Sequence, residues 1–446
     1  MRSKPRNKFG VIPLTVYTRP AACGGACIYC PAAENFPKSY TKNEDTTKAF
    51  ESAYDPVKQF EDQWLKASTL NNLQAGAYPV ELIVLGGSFS AHTNGYRLRF
   101  ISEISDWVRM AIKTACTSPV PLISVLTVES RPDQITDSEC RFLLQLGVSK
   151  VEIGVQHTND SVLASINRGH TQLEVIQATY RLKNYGFKVG YHVMLGLPSA
   201  TLEMDVQMLH SDLWQTAYNP DYIKIYPCNL LSDTTLQPQL WKMYRAGRWK
   251  PLKRGDLVDL LSKAARYIPR YVRVSRIQRQ FLDSEIEESI GSGLHQVVRS
   301  CFSDISKREG YNWLGETPCP ISEIALEIYT YGSDVYFELL HKSVDRLAAI
   351  ARLRIRSDSV KILREIKVFG CCASLGTSGP LQGNGLGKLL LAHVESYVCR
   401  ISDTTASILL VNAAPGAKPF FTSQGYSLET SGLLWKSVGK QTSDQI

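Results

Sequence analysis

The segment Phe187-Lys-Val-Gly-Tyr-His-Val-Met-Leu195 alternates between two kinds of side chain along its whole length. Alternation with a period of two is typical of a β-strand with one apolar and one polar face, because successive strand side chains point to opposite sides. Phe187, Val189 and Tyr191 would share the apolar face, and Lys188 and His192 the other. The pattern therefore predicts a strand whose polar side faces something other than a hydrophobic core.

Five similar runs lie at regular intervals along the chain, at residues 11–17, 81–85, 123–129, 151–156 and 222–226. Helix-like stretches separate the runs, at about 56–73, 97–114, 137–146, 172–185 and 202–217. Strands that alternate with helices predict a parallel sheet. The predicted fold class is α/β, and six repeats fit a partial, TIM-like β/α barrel.

The polar faces of these strands predict what fills the barrel. Glu152 and Gln156 share one face of their strand, and Lys224 lies between Tyr222 and Tyr226 on another. Helices cover the outside of a parallel barrel, so the apolar faces should point outward, whereas a filled barrel core would be aliphatic. We predict a polar lumen large enough for a ligand. The alternative is that these strands are half-exposed edges.

Length and composition restrict the class of protein. The chain has 446 residues, of which 44% are hydrophobic and 21% are charged, so two or three globular domains are expected. No apolar run reaches the roughly 18 residues of a membrane helix. The N-terminus is basic but lacks the apolar stretch of a signal peptide. We therefore expect a cytoplasmic protein without a membrane partner.

Three cysteines are clustered in Cys23-Gly-Gly-Ala-Cys27-Ile-Tyr-Cys30. Structural zinc requires four ligands, and no other Cys or His occurs before His92. A 4Fe–4S cluster held by three thiolates keeps one iron open for another ligand. This spacing resembles that of radical S-adenosylmethionine (SAM) enzymes, in which the open iron binds SAM. A zinc site completed from elsewhere, or plain core thiols, are the alternatives.

The C-terminal region has a different pattern. A strand-like run at 362–369 precedes Gln382-Gly-Asn-Gly385-Leu-Gly387-Lys388, which opens an apolar helix, and another strand follows at 407–411. Glycines at a helix start expose backbone N–H groups to an anion. The order resembles the acetyl-CoA site of GCN5-related (GNAT) acetyltransferases, which bind the pyrophosphate of CoA there. A Gly-rich loop before a surface helix is the alternative.

The net charge of +8 is unevenly distributed. Between Lys242 and Arg279 there are twelve Lys and Arg but only two Asp, so the remainder of the chain is slightly acidic. A local excess of cations indicates a polyanionic partner, most often nucleic acid. The alternative is a solvated helix face.

Both modules together resemble the Elongator catalytic subunit family, a radical SAM and GNAT family of tRNA uridine acetyltransferases, with matching segments from about residue 2 to 426. Those segments include Glu129-Ser-Arg-Pro-Asp133, Asn167-Arg-Gly-His-Thr171, Lys224-Ile-Tyr-Pro227 and Arg364-Glu-Ile-Lys-Val-Phe-Gly370. The resemblance implies addition of an acetyl-derived carboxymethyl group to carbon 5 of the wobble uridine, dependent on SAM and acetyl-CoA, with tRNA-stimulated acetyl-CoA hydrolysis. The alternatives are a protein-lysine acetyltransferase with a vestigial radical domain and a non-catalytic tRNA-binding module.

The resemblance assigns roles to individual residues. The cluster ligands are Cys23, Cys27 and Cys30. The SAM-side candidates are Gly86, Gly87, Glu129 and Gln156, and the catalytic candidates are Lys188 and Lys224. The acetyl-CoA candidates are Lys367, Val368, Phe369, Gln382, Gly383, Gly385, Gly387, Lys388 and Phe420. The candidates for contact with the tRNA anticodon stem-loop are Arg245, Arg248, Lys250, Lys253, Arg254, Arg273, Arg276 and Arg279.

The implied organisation is a radical SAM domain over 1–285 with a tRNA-binding segment at 242–279, a linker at 286–320 and a GNAT domain over 321–446. The close spacing of the first two cysteines indicates a prokaryotic or trimmed form that works alone or as a homodimer. Other Elongator subunits would be partners only of a eukaryotic form.

Two features depart from the family. Phe420 and Phe421 stand where many relatives have two tyrosines, and phenylalanine cannot donate a proton to the CoA sulfur, which argues against lysine acetylation. Some relatives hold zinc with a cysteine cluster between the domains. This chain has only Cys301 near that place, and zinc would require that Cys319, Cys371 and Cys372 approach it in space.

Overall fold

The computed structural model describes residues 10–42, 44–114, 117–279, 281, 283–288, 290–291, 293–302, 308, 321–342, 346–357, 359–379, 381–402 and 406–439. The strands in this part of the chain form two seven-stranded sheets. None of the helices in these ranges combines the length and the apolar character that a membrane span requires. Residues 1–9 of the predicted first domain, most of 303–320 and residues 440–446 lie outside the described part.

The first sheet is parallel throughout, and its strands are hydrogen-bonded in chain order. The strands are β1 (Ile12–Tyr17), β2 (Gly76–Leu85), β3 (Pro119–Ser130), β4 (Lys150–Gln156), β5 (Lys188–Leu195), β6 (Tyr222–Pro227) and β7 (Arg273–Ile277). The six predicted strands and the partial barrel are confirmed. The seventh strand was missed, because the cations at Arg273 and Arg276 led us to interpret this segment only as a charged surface.

Ten helices among the described residues accompany this sheet. They are α1 (Glu44–Glu51), α2 (Pro56–Leu70), α3 (Asn94–Thr114), α4 (Asp137–Gln145), α5 (Asp160–Ser165), α6 (Gln172–Asn184), α7 (Leu202–His210), α8 (Pro238–Arg245), α9 (Arg254–Ala264) and α10 (Leu294–Val298). Local sequence signals set their starts. The Asp55 side chain accepts a hydrogen bond from the Lys58 N–H at the start of α2, and Thr171 with Glu174 forms a capping box on α6.

The apolar strand faces point outward against the helices, as predicted. Ile12, Leu14 and Val16 of β1 are buried together with Phe60 and Trp64 of α2. The opposite strand faces are therefore left to line the inside of the barrel.

The second sheet is mixed, with the strand order β13-β14-β12-β11-β10-β9-β8. Its strands are β8 (Ile324–Tyr331), β9 (Asp334–His341), β10 (Leu347–Ile355), β11 (Val360–Val368), β12 (Ala406–Val411), β13 (Ser427–Leu428) and β14 (Leu434–Gly439), with helices α11 (Leu386–Ile401) and α12 (Lys418–Thr422). The parallel pair β11–β12 is hydrogen-bonded only as far as Leu363 and Val411. Beyond that point β11 continues without β12, which opens the sheet.

The first core extends beyond the predicted boundary at residue 285. Ile290, Leu294, Val298 and Phe302 are buried in the same cluster as the barrel strands. These residues of the predicted linker therefore pack with the first domain.

A buried charged cluster joins the two domains. Arg364 of β11 donates to both carboxylate oxygens of Asp221, at 2.6 and 2.9 Å, and Arg352 of β10 lies 3.3 Å from the same carboxylate. Asp334 of β9 pairs with Lys183 of α6 at 2.8 Å. These contacts fix β9, β10 and β11 against α6 and the N-terminal end of β6.

Candidate active site between the two domains

One cavity of about 1140 Å³ is lined by both domains. From the barrel it is lined by Glu81, Lys150, Glu152, Lys188, Tyr222 and Lys224. From the second domain it is lined by Lys367, Val368, Gln382, Gly383, Gly385, Gly387, Lys388 and Phe420. The predicted polar lumen is therefore present, and it is continuous with the Gly-rich loop at the point where β11 and β12 diverge.

Glu152 is the centre of the charged network in the lumen. Its carboxylate lies 3.0 Å from the Lys150 ammonium and 3.0 Å from His192 Nε2, and it also accepts from Lys224. Burial alone would raise the pKa of Glu152, but Lys150 and Lys224 outweigh burial and hold the pKa well below its usual range. The same pairing raises the pKa of Lys224 against the effect of burial. Lys224 is therefore a charged partner of Glu152.

Lys188 has different surroundings. Its side chain lines the cavity, and the structure gives its ammonium no hydrogen bond or ion pair among the described residues. Burial lowers the pKa of Lys188, although Glu365 and Glu81 oppose this shift. Of the two predicted catalytic lysines, Lys188 is the one whose donors can face a bound substrate.

Tyr222 and Glu365 form a second polar pair on the cavity wall. The Tyr222 hydroxyl donates to Glu365 at 2.5 Å, and Arg352 Nε donates to the same carboxylate at 2.7 Å. Burial raises the pKa of Glu365, but Arg352, followed by Lys188, outweighs it and lowers the pKa to about 2. Lys188 therefore lies beside a carboxylate that is ionised at neutral pH.

The sequence reasoning missed Lys150, Glu81 and Glu365 as lining residues. Strand β4 starts at Lys150, one residue earlier than predicted, and the alternation places Lys150 on the same face as Glu152. That alternation could have identified Lys150. Glu365 was quoted only as part of a motif, because no local pattern shows that β11 faces the barrel.

The cysteine loop follows β1 and is partly exposed, since Ile28 is buried whereas Gly24 and Ala26 are exposed. Cys23, Cys27 and Cys30 are half-buried. Burial first, and then the neighbouring Cys27 and Cys23 thiols, raise the pKa of Cys30 to about 11, so the three side chains affect one another. Arg168 Nη1 donates to Cys27 Sγ at 3.4 Å. Cys27 therefore lies against the Arg168 guanidinium, and all three thiols belong to one half-buried loop.

Three of the four SAM-side candidates lie against the segment between β1 and α1 that carries the cysteines. A Cβ on Gly86 would overlap the Thr18 hydroxyl, and one on Gly87 would lie 2.9 Å from the Lys38 carbonyl oxygen. The carboxylate of Glu129 accepts from the Tyr40 hydroxyl at 2.8 Å. Gln156 ends β4 in the left-handed region with φ 69°. Only glycines allow the β2 turn to approach the loop this closely.

The Gly-rich loop leads into α11, whose N-terminus is at the cavity. Gly385 has φ 79° and Leu386 begins the helix, so the first backbone N–H groups of α11 are next to the cavity wall. The side chain of Gln382 is bonded within the protein. Its Nε2 donates to the carbonyl oxygens of Gly10 at 3.0 Å and Val368 at 3.2 Å. Gln382 thus connects the loop to the start of β1.

Residues 17–211 match the radical SAM superfamily, and residues 220–298 match the radical SAM C-terminal domain. The chain is 30% identical to a tRNA uridine(34) acetyltransferase of Dehalococcoides mccartyi strain CBDB1, over 98% of this chain and 100% of that protein. It is 28% identical to human Elongator complex protein 3, over 96% of this chain and 85% of that protein. This chain belongs to the Elongator catalytic subunit family.

A solved member of the family has the same fold. The archaeal Methanocaldococcus infernus Elp3 with an N-terminal deletion (1–46) superposes with a TM-score of 0.77 at 25% identity, covering 96% of this chain and 100% of that one. The family resemblance found from sequence motifs is thereby confirmed, as are the α/β class and the radical SAM barrel.

Membership of the radical SAM superfamily implies a 4Fe–4S cluster and SAM, and the residues of the loop fit that group. Three thiols supply the donors, Gly24 and Gly25 keep the loop narrow, and Arg131 Nη1 is buried beside it without a hydrogen-bond partner among the described residues. Cys23, Cys27 and Cys30 would hold the cluster.

The basic segment of this family member is fixed to the cysteine loop by two tryptophans. Trp241 and Trp249 are buried in one cluster with Ile28 of the loop. Arg245, Arg248, Lys250, Lys253 and Arg276 are exposed. Arg273 and Arg276 line the cavity.

The other two of the eight candidate cations have internal partners. Arg254 Nη1 donates to the Ile290 carbonyl oxygen at 2.6 Å, and Arg279 Nη1 donates to Ser39 Oγ at 2.9 Å while covering the Tyr40 ring. The predicted nucleic-acid set therefore divides into five exposed side chains and three half-buried ones at the edges of the fold.

The two adjacent phenylalanines of α12 lie at the cavity. Phe420 and Phe421 line it and pack edge to face at 5.0 Å. The nearby Tyr426 is buried and donates to Glu395 at 2.9 Å, so it does not act as a substitute. Tyr222 is a cavity-lining phenol that the sequence reasoning did not consider.

The predicted cysteine set for zinc is not assembled in the described residues. Cys301 is exposed, Cys372 is buried near the Pro79 carbonyl oxygen, and Cys319 lies outside the described part. Within the described ranges, the one group of three metal-binding side chains with donors within 4.8 Å of one another is Glu129, Glu152 and His192. Glu152 of that group already forms an ion pair with Lys224.

Proposed function

We propose that this chain adds an acetyl-derived carboxymethyl group to carbon 5 of the wobble uridine of tRNA, using SAM and acetyl-CoA, in the cytoplasm, and that tRNA stimulates its acetyl-CoA hydrolysis. The proposal rests chiefly on the single cavity that the barrel lumen shares with the Gly-rich loop. Relatives that match the chain over nearly its whole length are named tRNA uridine(34) acetyltransferases.

The second domain would bind acetyl-CoA. The N–H groups at the start of α11 would hold the pyrophosphate, since helix N-termini favour anions. Lys367 and Lys388 add positive charge to the cavity wall. From there the acetyl end extends past Phe420 toward the lumen, so that the thioester reaches the barrel without leaving the protein.

The barrel would supply the chemistry. When bound, the iron–sulfur cluster provides the electron that cleaves SAM and starts radical chemistry. Lys188 donates to the acetyl carbonyl or to the uridine, and Lys224 orients Glu152. Arg273 and Arg276 at the cavity rim attract the RNA backbone, and the base enters from a single-stranded anticodon loop, where unstacking costs least. The enzyme works alone or as a homodimer.

We expect acetyl-CoA hydrolysis by the anaerobically reconstituted protein to require tRNA. Thiol release would be measured with tRNA, without it and with heparin as a polyanion control, and carboxymethyluridine would be measured by nucleoside mass spectrometry. Hydrolysis that occurs with tRNA, but neither without it nor with heparin, supports the proposal. Acetyl transfer to protein lysines would indicate the protein acetyltransferase instead, and the absence of any turnover in the presence of tRNA would indicate a binding module.

Gly383→Ala is expected to weaken acetyl-CoA binding at least tenfold, about 1.4 kcal/mol. A Cβ at this position would overlap the Thr377 carbonyl oxygen and lie 2.8 Å from Ser378 Cα, and both belong to the backbone that shapes the loop. Calorimetric titration with acetyl-CoA measures the change.

Gly376→Ala is the matched control for Gly383→Ala. Gly376 has nearly the same φ, 83° against 81°, but no atom lies within 4 Å of its Cβ position. Both variants carry the backbone penalty of about 1 kcal/mol, and only the first has the clash. Equal affinity in the two variants would contradict the proposed role of the loop.

A further inference from the structure

We propose that Arg131 and Arg168 form a buried guanidinium pair that raises the reduction potential of the cluster held by the three cysteines. The proposal rests on the family's cluster and is independent of the proposed tRNA chemistry. Both arginines belong to motifs that were quoted in the sequence analysis without a role.

Arg168 contacts a cluster ligand directly. It follows α5, and its side chain is 7% exposed. Nη1 donates to Cys27 Sγ at 3.4 Å, and Nη2 donates to the Gly154 carbonyl oxygen at 2.6 Å. A Cβ on Gly154 would lie 2.6 Å from Nη2, so glycine is needed for this approach. The end of β4 therefore fixes the guanidinium against the Cys27 sulfur.

Arg131 lies against the same loop from β3. Its Nε donates to Asp133 at 3.0 Å and its Nη2 donates to the Arg168 carbonyl oxygen at 2.9 Å. The third nitrogen, Nη1, is buried and has no hydrogen-bond partner in the described part of the chain. A Cβ on Gly25, between Cys23 and Cys27, would overlap this nitrogen. Nη1 therefore points into the cysteine loop.

The charges around the pair are unbalanced. Asp133 is the carboxylate that contacts Arg131, with its side chain 28% exposed, and no carboxylate contacts Arg168 among the described residues. The imidazole of His170 is also buried beside Asp133, at 4.0 Å. Two buried guanidinium groups with one partly solvated counter-ion are costly unless further negative charge is present. Thiolates that ligate a cluster provide that charge.

A nearby fixed cation favours the reduced cluster. Reduction adds one electron, taken from a low-potential reductant such as dithionite, and makes the cluster more negative without breaking a bond. Hydrogen bonds to the ligating sulfurs and local positive charge raise the potential of iron–sulfur clusters. Arg168 supplies the N–H···S bond, and Arg131 supplies the second charge. Both are positioning residues that act through the cluster.

The test is a redox titration of reconstituted protein, followed by electron paramagnetic resonance, with iron and labile sulfide determined in the same samples. We expect Arg168→Met to lower the equilibrium constant for one-electron reduction at least tenfold, a shift of about 59 mV to more negative potential. Arg168→Lys should recover part of the shift, because lysine keeps the charge but not the planar pair of donors. Arg131→Met should shift the potential in the same direction.

Arg181→Met is the control, since Arg181 lies on α6 and bonds to the Ile135 carbonyl oxygen. The cluster of Arg181→Met should have the reduction potential of the wild-type cluster. Wild-type potentials in Arg168→Met and Arg131→Met would overturn the proposal. If Arg168→Met fails to retain iron, the reduction potentials of Arg168→Lys and Arg131→Met test the proposal instead. Wild-type potentials in both of these variants would also overturn the proposal. Failure of the tRNA-dependent reaction with a shifted potential would count only against the proposed function.

Discussion

Cys27→Ala is expected to abolish SAM cleavage, with 5′-deoxyadenosine formation reduced to background. Cys27 is the middle thiol of the loop and receives the Arg168 hydrogen bond. Its removal leaves two thiolates, and two ligands do not hold a 4Fe–4S cluster whose open iron must also bind SAM. Without the cluster no electron reaches SAM. Chromatography of 5′-deoxyadenosine after incubation with dithionite and SAM measures the loss.

Cys399→Ala is the matched control for this prediction. Cys399 is also half-buried, but it lies on α11 and its thiol contacts the Gly439 carbonyl oxygen at 3.4 Å. The control should retain the iron content and the SAM cleavage rate of the wild type. Wild-type 5′-deoxyadenosine formation by reconstituted Cys27→Ala would exclude the assignment of the cluster ligands, and with it the radical half of the proposed function.

Local patterns were sufficient to predict the barrel and its polar interior. The alternation in β5 placed Lys188 on the inner face, and the same rule placed Glu152 in β4 and Lys224 in β6. These predictions succeeded because each barrel strand lies between an apolar layer of helices and a polar lumen. Apolar and polar side chains therefore alternate along its sequence. The strand starts were less certain, which is why Lys150 was missed.

Contacts between the domains could not be predicted in the same way. Asp221 and Arg364 are separated by 143 positions, and nothing near either residue indicates a partner. Gln382 is a second example. Its motif suggested a ligand contact, but nothing in the motif indicated that its amide also joins the loop to Gly10. Local sequence specifies the type of side chain, but the partner depends on how the domains pack.

Asp221→Asn is expected to lower the free energy of unfolding by about 3–5 kcal/mol. Asp221 is fully buried and accepts from both Arg364 and Arg352, and its carboxylate also accepts from the Val189 N–H at 2.8 Å. An amide keeps the shape but removes the carboxylate that the two buried guanidinium groups share, so that Arg352 keeps only Glu365 and Arg364 only Asp334 as counter-ion among the described residues. Urea denaturation followed by circular dichroism gives the change in the unfolding free energy.

Acid should reduce the difference between wild type and Asp221→Asn. Burial would raise the pKa of Asp221, but Arg364, Lys183 and Arg352 lower it far below the value of about 3.9 in an unfolded chain. A group whose pKa is lowered by folding stabilises the protein fully above the unfolded pKa, and this contribution is lost as the pH falls below it. The difference should therefore be constant near neutral pH and decrease below about pH 4.

Asp259→Asn is the control for Asp221→Asn, because it removes a carboxylate that does not belong to the buried cluster. Asp259 pairs with Lys263 on the surface of α9, where the two side chains are 60% and 63% exposed. Exposed pairs of this kind contribute about 0.3–0.5 kcal/mol, so the control should unfold within about 0.5 kcal/mol of the wild type. Similar losses in both variants would mean that the buried cluster does not hold the domains together. The shared cavity depends on that contact, since β11 carries both Arg364 and the cavity-lining Lys367.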